Sequence, residues 1–406
     1  MAGNGGHGDA AAVTAATVAA LEAEVEELRD EVDDARRTSF LELFFDLVFV
    51  FGITQVTALV LSDTSAAGFG RSALILALMW WAWSGFSWTT TAIDIDGFGN
   101  RLGVLAATAA AFFMAFAIPG GFGSDAEWFA LSYFAVRAIQ IGLMVWGVRD
   151  NATYLRSALR IAPFFVLSPS LVVAGGFLGG DAQIVLWVVA VAIDVIGALS
   201  AGSGDFRVSA THFAERHALF VIIVLGESLI AIGIGASEAH RDAALAGTIL
   251  LAVAGTIVLW WAYFDFTAAA VERALERRSG RDRGHIARDV FTLGHYPVVA
   301  GIVLFAVAAK KVVAHAGDPL STGGRVALAG AIVAFVLGLA AGRLRLIRKL
   351  AYERLTAAAV AVVAVIVLDD IPGVALLAIV IGALAVALTV ETVRLREARA
   401  AIRAGH

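Results

Sequence analysis

Between Phe40 and Leu61 the chain reads FLELFFDLVFVFGITQVTALVL, almost unbroken in apolar residues. About 20 such residues in a helix cross the hydrocarbon of a bilayer. A backbone placed there must satisfy its own hydrogen bonds, which a helix does within one segment. Two acids interrupt the run, Glu42 and Asp46, spaced i,i+4 and so on one helix face. An ionised acid at membrane depth costs roughly 3 kcal/mol on insertion scales. A chain keeps such groups where they face protein, water or a substrate path. Thr57 falls on the same stripe. The segment therefore reads as a membrane helix with one working face.

The pattern recurs. Candidate spans lie at about 40–61, 72–92, 102–119, 128–148, 157–178, 183–202, 217–236, 243–266, 292–312, 325–342, 355–368 and 373–391. The predicted fold is an all-α polytopic membrane protein of about twelve transmembrane helices, the eleventh being short. Composition agrees: 60% of the 406 residues are hydrophobic, 16% are charged, and the mean hydropathy is +0.83. The net charge of −5 is carried by loops. With no cysteine, thiol catalysis, disulfides and Cys-ligated metals are excluded. Placing the N-terminus inside puts most of the 30 Lys and Arg on the inner side, so both termini are expected to be cytoplasmic. The largest inner loop, 267–291, carries Arg273, Arg277, Arg278, Arg281, Arg283 and Arg288 and reads as a surface helix against lipid headgroups, not as a nucleic-acid site.

Before the first span, Val18, Leu21, Val25, Leu28, Val32 and Ala35 form a short heptad seam among acids. It reads either as a solvated lead-in helix or as a coiled coil, and it tilts the expectation toward a homodimer. The domain reading is 1–38, a disordered start and cytoplasmic helix; 39–202 and 203–391, two six-helix membrane halves; and 392–406, a cytoplasmic tail. The halves rest on an internal repeat. FFDLVFVFGI (Phe44–Ile53) aligns with LGESLIAIGI (Leu225–Ile234), and WWAW (Trp80–Trp83) with WWAY (Trp260–Tyr263). Even-numbered halves give parallel repeats about an axis along the membrane normal. Asp46 and Glu227 then become symmetry mates, one acid on the first helix of each half.

The ionisable groups in or near the spans are Glu42, Asp46, Asp194, Glu227 and Asp265, with Arg137 and, at span entrances, His217 and His295. That acidic balance suits a proton or cation path better than an anion path. For each acid the competing reading is a structural ion pair or clasp, with Arg137 and Arg216 as candidate charge partners. Arg216 shares a helix face with Glu227 and reads first as an anchor at the cytoplasmic end. Gly226, Gly233 and Gly235 near Glu227 read as sites of close helix or ligand approach. The segment HFAERH (His212–His217) misses the His-x-x-Glu-His spacing of a zinc helix, because its histidines are five apart. No metal and no cofactor is expected. His217, His295 and Tyr296 read as interfacial hydrogen-bonding groups. Trp80, Trp81, Trp83, Trp88, Trp260 and Trp261, with Tyr263, read as core or lipid contact, or as the lining of an apolar ligand cavity. Pro163 and Pro169 are expected to kink the fifth span.

Four stretches carry a resemblance. ELFFDLVFVFGITQ (Glu42–Gln55), HFAERHALFVIIVLGESLIAIG (His212–Gly233), LWWAYFD (Leu259–Asp265) and GHYPVVAGIV (Gly294–Val303) resemble the bacterial low temperature requirement A family. The resemblance spans roughly 39–391 and implies a multi-pass protein of the bacterial inner membrane. It implies no particular reaction, because the family is named for a phenotype. Phe44-Phe45-Asp46 in a duplicated six-helix frame is also similar, at fold level, to the endolysosomal potassium and proton channel family. That family's motif has Ser before the Asp, where this chain has Phe45.

The leading functional expectation is a channel or transporter for a proton or monovalent cation, with Asp46, Glu227, Glu42, Asp194 and Asp265 along its path. The alternatives are a transporter or sensor of a small apolar or lipid-like molecule, and a membrane-embedded lipid-modifying enzyme. No nucleophile elbow, phosphate loop or paired-histidine metal set supports an enzyme.

Overall fold

The computed structural model describes residues 37–93, 95, 97–200 and 209–397. The heptad seam at 18–35 lies outside the described residues. The described residues form twelve long helices: α1 (Phe40–Ser62), α2 (Ala66–Ala92), α3 (Phe98–Phe116), α4 (Ala126–Gly147), α5 (Ala152–Leu178), α6 (Gly180–Ser200), α7 (Ala210–Glu238), α8 (Ala243–Phe264), α11 (His295–Ala314), α12 (Thr322–Ile347), α13 (Tyr352–Val367) and α14 (Gly373–Arg394). Between α8 and α11 lie two short helices, α9 (Thr267–Glu276) and α10 (Gly280–Ile286), and a π-helical turn, Ala287–Leu293, that runs into α11. Among the described residues there is no strand. An isolated bridge, Pro319 to Pro372, ties the loop before α12 to the start of α14.

Every expected span is a helix, and 10 segments are long and apolar enough to cross a membrane. Two of the twelve helices fall outside that set for clear reasons. The Trp-, Ser- and Thr-rich end of α2 is buried in protein instead of facing lipid. α13, with 16 residues, reaches only about 24 Å at 1.5 Å per residue. Ends moved where caps sit. Ser209 accepts from the amide of His212, so α7 starts at Ala210 and takes His212, Arg216 and His217 inside the helix. Ser39 and Glu42 form a reciprocal capping box at the start of α1. α5 carries Pro163 and Pro169 within one continuous helical segment.

At the centre α1, α2, α7 and α11 each touch the other three. α3–α6 close one side of this group, and α8, α12, α13 and α14 close the other. The central four draw on both sequence halves, but unequally. α8, the counterpart of α2 in the aligned motifs, packs on α7, α11 and α14 outside the centre. α11 and α12 approach most closely at Gly301, where an added Cβ would stand 2.6 Å from the Phe335 nitrogen and 2.7 Å from the Ala331 oxygen. The lipid-facing surface keeps its apolar residues outward, among them Phe112, Phe113, Leu250 and Val386.

Candidate functional site: a buried charge cluster between four helices

The i,i+4 acids of α1 meet an i,i+4 pair on α7, His212 and Arg216. Arg216 Nη2 donates to Asp46 Oδ1 at 2.6 Å, and its Nη1 lies 3.4 Å from Glu42 Oε1. The same Nη1 donates to Thr90 Oγ1 at 2.7 Å on α2. Trp83, also on α2, donates its indole N–H to Asp46 Oδ1 at 2.7 Å. His212 Nε2 stands 3.0 Å from Glu42 Oε1. Its Nδ1 lies 3.0 Å from Thr91 Oγ1, whose own proton goes to the Ser87 carbonyl at 2.8 Å. A carboxylate only accepts, and a hydroxyl that has given its proton away also accepts. His212 Nε2 therefore donates to Glu42, and Nδ1 shares a hydrogen bond with Thr91 Oγ1.

Glu42 is 1% exposed, and Asp46, His212 and Arg216 are fully buried. The group holds two carboxylates and one permanent cation, so one further positive charge neutralises it. Three buried polar atoms in or beside the cluster have no hydrogen-bond partner among the described residues: Asp46 Oδ2, Arg216 Nε and His217 Nε2. Leaving such buried groups without a partner costs free energy.

Glu227 sits on the same α1–α7 seam, nearer the other end of the bundle. Thr54 donates its hydroxyl to Glu227 Oε2 at 2.5 Å, with Thr57 beside it. No basic residue pairs with Glu227 among the described residues. Asp46 and Glu227, aligned in sequence, thus stand in different surroundings, one held by Arg216 and Trp83 and the other by threonine. Arg216 reaches the acids of α1 and not Glu227. Of the three glycines read as sites of close approach, Gly235 makes one, since its Cβ would meet the Lys310 oxygen at 2.7 Å, while Gly226 and Gly233 face open space.

The remaining predicted residues separate from this cluster. Arg137 pairs with Asp194 at 2.8 Å, and Asp194 also accepts from Ser168 at 2.6 Å and Tyr133 at 3.3 Å. Arg137 Nη1 donates to the Trp81 carbonyl at 3.0 Å, which closes a clasp among α2, α4, α5 and α6. Asp265 caps the end of α8. His217 donates Nδ1–H to the Phe213 carbonyl and packs against Trp83, Phe291 and His295, the last at 5.3 Å between rings. Tyr263 donates to His295 Nε2 at 2.7 Å, and His295 Nδ1 donates to the Val290 carbonyl in the π turn. Tyr296 donates to the Ala73 carbonyl. These histidines are core groups on adjoining helices, not interfacial ones: His217 is fully buried and His295 is 6% exposed.

The tryptophans do not line one cavity. Trp80 and Trp88 donate to the carbonyl and hydroxyl of Thr292, fixing α2 to the π turn. Trp81 borders a small void of about 80 Å³ with Arg137 and Gln140. Trp260 and Trp261 are 44% and 47% exposed on the outer face of α8. A cavity of about 320 Å³ lies instead between α7, α9, α11 and α12, with Tyr263 and His295 among its lining. Sequence reading missed two groups. Thr90 and Thr91 carry no signal of their own in a Thr-rich helix end. Glu391 accepts from Arg354 at 2.6 Å and Arg343 at 2.8 Å, a clasp at span ends where charge is ordinary.

A family model described as bacterial low temperature requirement A protein (LtrA) matches residues 37–392. An uncharacterised protein of Rhizobium meliloti (strain 1021) is 30% identical over 302 residues, covering 71% of this chain and 72% of that protein. No solved structure matches the chain. The matched region begins one turn before Glu42 and contains the whole buried cluster, so this multi-pass membrane protein belongs to the bacterial low temperature requirement A family.

Proposed function

We propose that the protein carries a proton or a monovalent cation across the bacterial inner membrane, with Glu42, Asp46, His212 and Arg216 as its binding station. One observation carries the reading: two buried carboxylates share one arginine, with the His212 ring against Glu42 and one oxygen of Asp46 left without a hydrogen bond among the described residues. Burying an unbalanced charge costs several kcal/mol. A proton or cation at Asp46 Oδ2 balances the second carboxylate. Glu227, held by Thr54 further along the same α1–α7 seam, is the next acid toward the opposite face. The Arg137–Asp194 pair is already neutral and serves as a clasp.

The arginine-rich stretch from α9 to the π turn is expected on the cytoplasmic side, which places the cluster in the cytoplasmic half of the bundle. The repeat of two six-helix halves supplies α1 and α7 as the paired first helices that form the seam.

The test is flux in liposomes holding purified protein, under proton, potassium and sodium gradients in turn. Flux above empty liposomes is expected. It should fall at least about tenfold in Asp46→Asn with Glu227→Gln, as for loss of an interaction of about 1.4 kcal/mol or more. Unchanged flux in that double variant would remove the acids from the path.

A further inference from the structure

The cavity of about 320 Å³ falls within the size range of small-molecule sites. Tyr263, Phe264, Phe291 and Val298 line it on the apolar side. Its charged lining is Arg37, Glu215 and Glu272. Glu215 is already engaged. It accepts from the Thr38 amide at 2.9 Å and the Thr38 hydroxyl at 3.2 Å, and Arg37 lies 3.6 Å away. Glu272 makes no hydrogen bond among the described residues. Its charged neighbours are the acids Glu276 and Glu215 and the bases Arg37 and Arg273. The lining's own charges thus come to one carboxylate more than cations, with Glu272 the carboxylate left over. His295 adds no charge there, because Tyr263 donates to one ring nitrogen and the other donates to Val290.

The space is far larger than an inorganic ion, and most of its wall is apolar. A ligand that fits therefore carries a positive charge on an apolar body. The aromatic rings of Tyr263, Phe264 and Phe291 also suit a cation, through the negative faces of their π systems. We propose that this cavity binds a small organic cation, an amine on an aromatic or aliphatic body, with Glu272 as its counter-charge. The site is distinct from the buried α1–α7 cluster, from which His217 and His295 separate it.

Binding is measured on the full chain in nanodiscs by calorimetry, with three probes of near-equal size: phenethylamine, phenethyl alcohol and 3-phenylpropionate. Saturable binding of phenethylamine is expected, at least about tenfold tighter than either of the others. Glu272→Gln should weaken phenethylamine about tenfold and leave phenethyl alcohol unchanged. Equal binding of all three probes would show an apolar void without charge selection and overturn the proposal. Tightest binding of the carboxylate, no saturable binding, or an unaltered amine affinity in Glu272→Gln would also overturn it. If Glu272→Gln does not fold, the comparison of three probes on the unaltered protein decides alone. No step depends on flux, so this inference and the transport reading fail separately.

Discussion

At the scale of single residues, Arg216 decides what the acids are. Without it, Asp46 would keep only the Trp83 indole as a partner, while Glu42 would keep His212 and Ser39. Removing one partner of a buried pair costs about 3–5 kcal/mol, because the other charge stays behind. Arg216→Met strands Asp46 without a basic partner and should lower the unfolding free energy by about that amount. Asp46→Asn leaves Arg216 with Glu42 and Thr90 and should cost less, about 1–3 kcal/mol. Denaturant titration in detergent would check the ordering, and equal losses would show that Arg216 is not shared. The i,i+4 spacing of Glu42 and Asp46 placed both on one face from sequence alone. It said nothing of which neighbour faced them. Arg216, read as an anchor at the membrane end, is instead drawn inside because the Ser209 cap lengthens α7 by about two turns beyond the hydrophobic run.

At the scale of elements, small residues on α7 sort into two kinds that look alike in sequence. Gly233 has nothing within 4 Å of a built Cβ, whereas Gly235 has the Lys310 oxygen at 2.7 Å on α11. Gly233→Ala should stabilise by about 0.5–1 kcal/mol, since alanine is the better helix former and meets no obstacle. Gly235→Ala should destabilise by about 1–3 kcal/mol, since backbone must shift. Thermal unfolding of the two variants gives the sign of each, and a shared sign would mean that α7 and α11 do not approach here. Helix positions were legible because hydrophobic length sets them. Helix ends were not, because caps and buried polar turns such as the π segment extend helices past the apolar run. The tryptophans divide between surroundings for a related reason. Trp80 and Trp260 occupy aligned motifs, yet α2 is central and α8 peripheral, so one indole faces protein and the other the outer surface.

At the scale of the whole molecule, the arrangement is a core of α1, α2, α7 and α11 inside a shell of apolar helices. All the buried charge groups except Glu227 lie in the half that contains the first turn of α1 and the arginine-rich segment. The absence of cysteine makes orientation testable by single insertion. Arg281→Cys and Asp318→Cys lie at opposite ends of the bundle. In intact cells an impermeant maleimide should label Asp318→Cys and leave Arg281→Cys unlabelled until the membrane is broken. Labelling in the reverse order would invert the topology and move the buried cluster to the outer half.

The sequence by itself determined that this chain is a helical membrane bundle, where each helix runs, and which acids are out of place in lipid. Those conclusions need only the length of the hydrocarbon layer, the demand of every backbone group for a partner, and the cost of a buried charge. Only the tertiary structure decided how the charges pair: Asp46 and Glu42 with Arg216 and His212, Asp194 with Arg137, Glu391 with Arg354, and Glu227 with a threonine. Periodicity fixes the face a residue occupies on its own helix. The partner across that face depends on which helices become neighbours, and that is set by packing among segments far apart in the chain.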